Sequence, residues 1–491
     1  MTAAANMLLK SGQVFTMDQR LPQASAVAIR GNEILAVGKD DELEGLINPE
    51  TQVIDLEGRL VLPGFNDAHT HYIGAALTDA STFSLYGVTS LDEAGARLVE
   101  YARQHPKMDW LHGRRLDLGR FEGGTFPTSA MLDRYETKRP VAITDIDGHS
   151  CWVNSRALEL LGVDAGTPDP VGGQILRDAG GAPTGLLLEN AAAPVPETEL
   201  PAGMDFRQVM LQADLAPALR LRERLQGNEM VRMVALKTYI DGVISSRSAW
   251  LLETYSDMPG HHGFPMMDID ELSSMIIQAD KAGFQVITHA IGDRAVRETL
   301  DIYQQAGLVN GRRDSRHRIE HIEMAHAQDQ PRFAQLGVIA GMQPLHCTAV
   351  IDDYLLTRIG PARSQYAYTW RAFVNSGAHL CFGTDWPAID MQQPSPLENI
   401  YGAVTRIHPS KPASQGWHTE QCLTLAQAIR AYTLESAYAE FMEGRKGLIQ
   451  AGKLADLCVL DRDIFAEPPD ALLEAKVELT VMDGRVVYRD F

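Results

Sequence analysis

Cysteine is scarce in this chain. Five residues, Cys151, Cys347, Cys381, Cys422 and Cys458, are spread over 491 positions. Their number is odd and no C-x-x-C pair occurs, which excludes a disulfide framework and suits a reducing compartment. Basic charge is short as well. Lys and Arg number 44 against 64 Asp and Glu, a net charge of −20, and the pI lies near 5.2. A nucleic-acid binder usually carries a basic face, so that class is set aside. No run of about 18 apolar residues exists, so no membrane-spanning helix is expected. Met1 to Lys10 lack a basic stretch followed by a long apolar core, so no signal peptide is expected and the expected location is cytoplasmic. Gly172-Gly173 and Gly180-Gly181 lack the strand–turn–helix setting of a nucleotide site. There is no internal repeat and no low-complexity tract.

The composition, 45% hydrophobic and 22% charged, is that of an ordinary globular chain, long enough for a large domain plus a smaller one. Residues 1–60 read as short strands: Met7–Lys10, Gln13–Met17, Ala26–Ile29, Glu33–Val37 and Gln52–Leu56, punctuated by Gly12, Gly31-Asn32 and Gly38. Residues 441–491 repeat this style with Lys453–Leu460, Val477–Met482 and Arg485–Tyr488, the last two joined by the hairpin signal Asp483-Gly484. Two β-rich ends around a long middle predict a small β-sandwich built from both termini.

The middle, residues 61–440, alternates. Apolar β runs such as Val141–Thr144, Met233–Tyr239, Gln285–His289 and His379–Asp385 are separated by helical stretches such as Ile269–Ala282, Asp293–Ala306 and Leu425–Leu434. This pattern predicts an α/β fold with a parallel sheet, and the length suits a (β/α)8 TIM-like barrel with chemistry at the C-terminal strand ends. Ala165–Ala182, rich in Gly, Asp and Pro, reads as a long surface loop.

Polar residues stand at these strand ends. His69 and His71 follow the apolar run Gly58–Leu62; on a strand, i and i+2 share a face, so both imidazoles can meet one metal ion. Lys237 follows Met233–Leu236, His289 closes Gln285–Thr288, His321 closes Arg318–Glu320, and Asp385 closes Leu380–Thr384. The intervals from Lys237 onward are 52, 32 and 64 residues, or one long βα unit, one unit and about two, at roughly 30 to 50 residues per unit. His149 and His346 fall in loops facing the same mouth, as substrate-orienting groups, oxyanion donors or core histidines. Asp241, Arg247 and Tyr72 are weaker candidates for lining the site. His261-His262 lies in a Gly/Pro-rich turn and reads as surface.

The segments Pro63–His71, Asp147–Ser150, Lys237–Gly242, Thr288–Asp293, Arg318–His321, Met342–His346 and Phe382–Pro387 resemble the amidohydrolase superfamily. Within it they resemble the amidohydrolase-3 group, the N-substituted formamide deformylase-like and YtcJ-like metal-dependent hydrolases. The resemblance covers nearly the whole chain, with Asn66 standing where the family usually has an aliphatic residue. It implies that His69 and His71 hold one metal and His289 and His321 a second, with Lys237 bridging them as a carbamate. A free ammonium has no acceptor and cannot ligate. It further implies that Asp385 ligates the first metal, takes a proton from a bridging water and passes it to the leaving amine.

The expected activity is therefore hydrolysis of an exocyclic C–N bond in a small-molecule N-acyl or N-formyl amine. Deamination or cyclic-amide opening is the alternative, and a catalytically silent binding barrel is a third reading. The expected cofactor is a divalent metal, zinc first, as one or two ions, although Mn, Fe or Co suit the same donors. A homodimer is the commonest expectation for assembly.

Overall fold

The computed structural model describes residues 4–71, 82–196, 211–350, 354–388, 395–412 and 414–491. Tyr72 lies outside them. The first sheet comes from the N-terminal segment. Met7–Lys10 pairs parallel with Gln52–Asp55 and antiparallel with Ala26–Arg30, which pairs with Glu33–Gly38. Gly31 takes positive φ in the tight turn between the last two strands, as that turn requires.

A second sheet joins both ends of the chain. Its six strands run in the order Arg485–Arg489, Val477–Met482, Leu457–Leu460, Leu60–Pro63, Gln13–Phe15 and Gln23–Ala24. Met7, Leu9, Val14, Val27, Ile54, Val61, Leu457, Val459 and Leu479 pack as one core from strands of both sheets. At about 1.5–3 kcal/mol for each large apolar side chain fully buried, this core ties the two chain ends together.

One consequence corrects the reading of the His-x-His stretch. Leu60–Pro63 is a strand, as expected, but it pairs with Leu457–Leu460 and Gln13–Phe15. It therefore lies in the sheet of the chain ends and stops at Pro63, six residues before His69. His69 and His71 are not on a strand. Their segment is held beside residues 382–386 by Ala68 N–H to Phe382 O (3.1 Å), Asp385 N–H to His69 O (2.7 Å) and His71 N–H to Trp386 O (2.9 Å).

The middle region is mixed α/β. Phe83–Ser84, Leu111–Leu116 and Val141–Asp145 are parallel neighbours. Ser150–Val153 and Pro183–Glu189 then add antiparallel strands. Gly173–Arg177 pairs with Pro183–Glu189, so the expected loop over Ala165–Ala182 contains a strand. Ile175 supplies a buried side chain, and Gly181 takes positive φ in the turn that follows. The composition signals the turns on either side and masks the short run between them.

Five further strands, Ala235–Tyr239, Gln285–Ala290, Arg318–His321, Ile339–Met342 and Leu380–Phe382, are parallel in that spatial and chain order. Ile339–Met342 is the extra unit in the 64-residue interval before Asp385. The last three are buried along their whole length, as parallel strands covered on both faces should be. Helices lie between them. Ile269–Lys281 starts at Asp268, whose side chain caps Glu271 N–H, and buries Leu272, Met275, Ile276 and Ala279 at helical spacing. Among the described residues, the three-strand and five-strand parallel sets lie in separate sheets and strand pairing does not close a ring.

Candidate metal centre

The parallel register aligns the strand ends. Tyr239 pairs with His289 and Ala290 with His321, so His289 and His321 sit at adjacent C-terminal ends, with Lys237 two residues inside the end of the neighbouring strand. His69 and His71 arrive from the side. Asp67 locks their segment down: Thr384 donates to it from N–H (2.9 Å) and Oγ1 (2.5 Å), and His69 N–H donates at 3.2 Å.

Asp385 is the hub. Its Oδ1 lies 3.2 Å from His69 Nε2 and 3.1 Å from His71 Nε2. Its Oδ2 lies 3.3 Å from His346 Nε2 and 3.8 Å from His321 Nδ1. His69, His321 and Asp385 each offer a buried donor atom, all within 4.8 Å of one another. The ring of His321 lies 5.2 Å from that of His69 and 4.5 Å from that of His289. The His149 ring follows, 4.8 Å beyond His289. The backbone is forced here: Asp385, His321 and Ile322 hold positive φ at 54°, 76° and 49°. Such conformations cost of order 1–3 kcal/mol each and persist where packing dictates them, commonly at functional sites.

The environment sorts the histidines. Burial, with Lys237 nearby, lowers the pKa of His69. Burial also carries His289 and His321 well below the ordinary imidazole value. These three are neutral, the form that ligates a metal. Burial opposes charge on His149 too, but Glu189, Asp145 and Asp147 raise it to about 9. Asp385 and Glu323 likewise overcome burial and raise His346 to about 9. Both are protonated donors near neutral pH. Burial pushes Asp385 up, yet the imidazoles of His69, His346 and His71 close around it hold it well below the usual carboxylate range.

Behind the donors stands a supporting layer. His69 Nδ1 faces Glu320 Oε2 at 3.3 Å, and Arg318 donates twice to Glu320 Oε1, at 2.8 and 2.6 Å. Gln343 Oε1 lies 3.0 Å from His321 Nδ1, while its Nε2 donates to Glu320 at 3.3 Å. Lys237 is buried with no hydrogen-bond partner for Nζ among the described residues. Burial lowers it to about 8 against the pull of Glu320 and Asp385. His69 Nε2 and Asp385 Oδ1 also lack partners of hydrogen-bond geometry. Three unsatisfied buried polar atoms, one anionic oxygen and several neutral imidazoles form a donor set that fits a divalent cation.

The structure thus brings His69, His71, His289, His321, Lys237, His149, His346 and Asp385 into one neighbourhood. Asp241 Oδ1 lies 3.9 Å from His289 Nε2, and its carboxylate accepts backbone N–H bonds from Trp250, Ile291 and Gly292, fixing strand-end loops. Arg247 pairs with Asp257 at 2.8 Å. His261 and His262 are half-buried against backbone carbonyls of Arg247 and Leu251. Sequence reading missed Glu189, Glu323 and the support given by Asp67 and Gln343. The latter two lie inside the matched segments; Glu189 and Glu323 stand outside every one of them, with no local signal.

A family model described as "Amidohydrolase family" matches residues 52–205 and 196–488. The chain is 32% identical to Protein LONG AFTER FAR-RED 3 of Arabidopsis thaliana, over 99% of this chain and 92% of that one. It is 26% identical to the N-substituted formamide deformylase of Arthrobacter pascens, over 99% of both. Its fold is similar to the crystal structure of an uncharacterized metal-dependent hydrolase from Pyrococcus horikoshii OT3, with TM-score 0.67, 22% identity, and coverage of 98% of this chain and 100% of that one.

Proposed function

The chain belongs to the amidohydrolase family, metal-dependent hydrolases acting on carbon–nitrogen bonds; from that premise we propose that it cleaves an exocyclic amide of the N-formyl or N-acyl amine type. The observation that carries this reading is the convergence of His69, His321 and Asp385 on one buried point. His71 and His289 would complete the histidine set. Zinc, as one or two ions, suits these nitrogen and oxygen donors. When bound, a divalent cation supplies Lewis-acid chemistry, lowering the pKa of a water molecule and polarising a carbonyl oxygen.

The protein's own groups do the rest. Asp385, anionic and central, takes the proton released as water adds to the carbonyl carbon. It returns that proton to the departing amine nitrogen, leaving a carboxylic acid and a free amine. His149 and His346, both protonated, donate toward the carbonyl oxygen and stabilise the charge that develops there. Lys237, with a pKa of about 8, is neutral in part near pH 8. Its amine, without a hydrogen-bond partner among the described residues, can then add to CO2, lose a proton and become a carbamate ligand. The same reading takes the eight parallel strands as one (β/α)8 barrel over 61–440. The terminal strands of 1–60 and 441–491 form a β-sandwich, and the assembly is a cytoplasmic homodimer.

The test is a substrate panel of N-formyl and N-acyl amines, lactams and aminopurines, run with added Zn or Mn. Free amine released from the first group alone is the expected result. Ammonia from the aminopurines, or ring opening of the lactams, would transfer the assignment to a deaminase or a cyclic amidohydrolase. Silence toward the whole panel in metal-loaded protein would favour a binding protein.

A further inference from the structure

Glu189 touches no reacting group in the chemistry above, yet its setting is costly. It closes the strand Pro183–Glu189 with φ 51° and ψ −127°, outside the regions a side-chain-bearing residue prefers. Its carboxylate is almost wholly buried. One oxygen, Oε1, accepts from Ser248 Oγ at 2.6 Å. The other, Oε2, lies 2.8 Å from His149 Nδ1. Ser248 is itself fixed, accepting Val243 N–H at 3.0 Å and lying 2.7 Å from Ser246 Oγ. Room for the carboxylate exists only because residue 242 is glycine: a Cβ there would sit 1.8 Å from Glu189 Oε1 and 2.2 Å from Ser248 Oγ. Gly242 also presents its carbonyl oxygen 3.2 Å from His289 Nε2.

We propose that Glu189 is a positioning residue that, braced by Ser248 and admitted by Gly242, holds the His149 ring with Nδ1–H directed away from the reacting centre and Nε2 facing it. An imidazole presents one nitrogen to a task when its other nitrogen is fixed by a hydrogen bond. The His149 ring lies against His289 and edge-on to Tyr239, at 4.8 and 5.9 Å between centroids. With Nδ1 held by Glu189, rotation of the ring is blocked on both sides. The inference rests on the hydrolase reading for what His149 acts upon, but not for the hydrogen bond itself.

Two measurements on the metal-loaded, full-length protein separate these dependencies. The first needs no substrate. The His149 Nδ1 proton, assigned by difference against His149→Ala, should give a low-field resonance protected from exchange in wild type. It should be lost in Glu189→Ala and kept in Glu189→Gln, whose amide oxygen can still accept. The second is a double-mutant cycle on an N-formyl amine. Glu189→Ala should lower kcat roughly 10- to 100-fold at unchanged metal content, the usual scale for such supporting groups. Adding Glu189→Ala to His149→Ala should cost nothing further, because the group it positions is gone. A further loss of about tenfold or more in the double variant overturns the proposal, as does a His149 Nδ1 resonance that survives Glu189→Ala. Failure of turnover in wild type would count against the amide assignment alone.

Discussion

Replacing Glu320 with Gln should weaken both the fold and metal binding. Glu320 is fully buried. It receives two hydrogen bonds from Arg318, one from Gln343, and faces His69 Nδ1 at 3.3 Å. The amide keeps the shape and removes the negative charge. Breaking a buried ion pair from one side costs about 3–5 kcal/mol. The lower end applies here, because Arg318 keeps the Ala68 carbonyl at 2.8 Å. At about 2 cal/mol/K per residue over 491 residues, a loss of about 3 kcal/mol lowers Tm by about 3 °C. The His69 ring loses the negative charge behind its Nδ1–H, which makes Nε2 the stronger donor, and outer partners of this kind are worth 10- to 100-fold in metal affinity. Calorimetric titration of metal-stripped protein with Zn, beside thermal melts with and without Zn, reads both quantities. Adding Arg318→Met should recover part of the Tm and none of the affinity. Wild-type Zn affinity in Glu320→Gln would refute the reasoning, since it would mean that His69 needs no anionic partner to present Nε2.

Asp385→Asn should lower kcat by about 10²–10⁴-fold, the range of a lost general acid–base, measured as amine release at saturating metal; near-wild-type turnover in a metal-loaded variant would end that assignment. Gly242→Ala should displace Glu189, since the added methyl overlaps its carboxylate; loss of the protected His149 proton together with a lower Tm is the expected pair. Asp280 pairs with Arg313 at 2.8 Å and lies 3.2 Å from His317. Burial pushes Asp280 up, but His317, Asn310 and Arg313 hold it at about 2. A lowered carboxylate pKa contributes stability above the unfolded value of 3.8 that is lost as pH falls toward 2. We expect urea unfolding to show Asp280→Asn less stable than wild type by about 1–2 kcal/mol at pH 6, with the gap narrowing by roughly half at pH 3. A gap independent of pH would show that the loss is packing, not charge.

Much of the site was legible along the chain because strand ends announce themselves. A polar residue closing an apolar run, as in Lys237, His289 and Asp385, marks the place where a buried strand reaches a face, whatever the rest of the fold. The His-x-His stretch shows the limit. Its apolar lead-in is a strand, but the partners of that strand are Leu457–Leu460 and Gln13–Phe15, and only long-range pairing reveals this. Glu189 and Glu323 carried no signal because a buried carboxylate looks like a surface one until its neighbours are known. Gly173–Arg177 was hidden by the turn residues around it.

Residue types and spacing determined the chemistry on offer: imidazoles, one lysine and one aspartate at strand ends of an α/β chain, with acidic charge and few cysteines closing off other classes. The three-dimensional structure alone decided the surroundings, and so the charge, of each group. It left His69, His289 and His321 neutral and His149 and His346 protonated, although all five are the same residue. The reason is physical: an imidazole's charge and orientation are set by burial and by the carboxylates that surround it, and those come from distant segments, such as Glu189 for His149 and Glu320 for His69, which only the fold brings within hydrogen-bond reach.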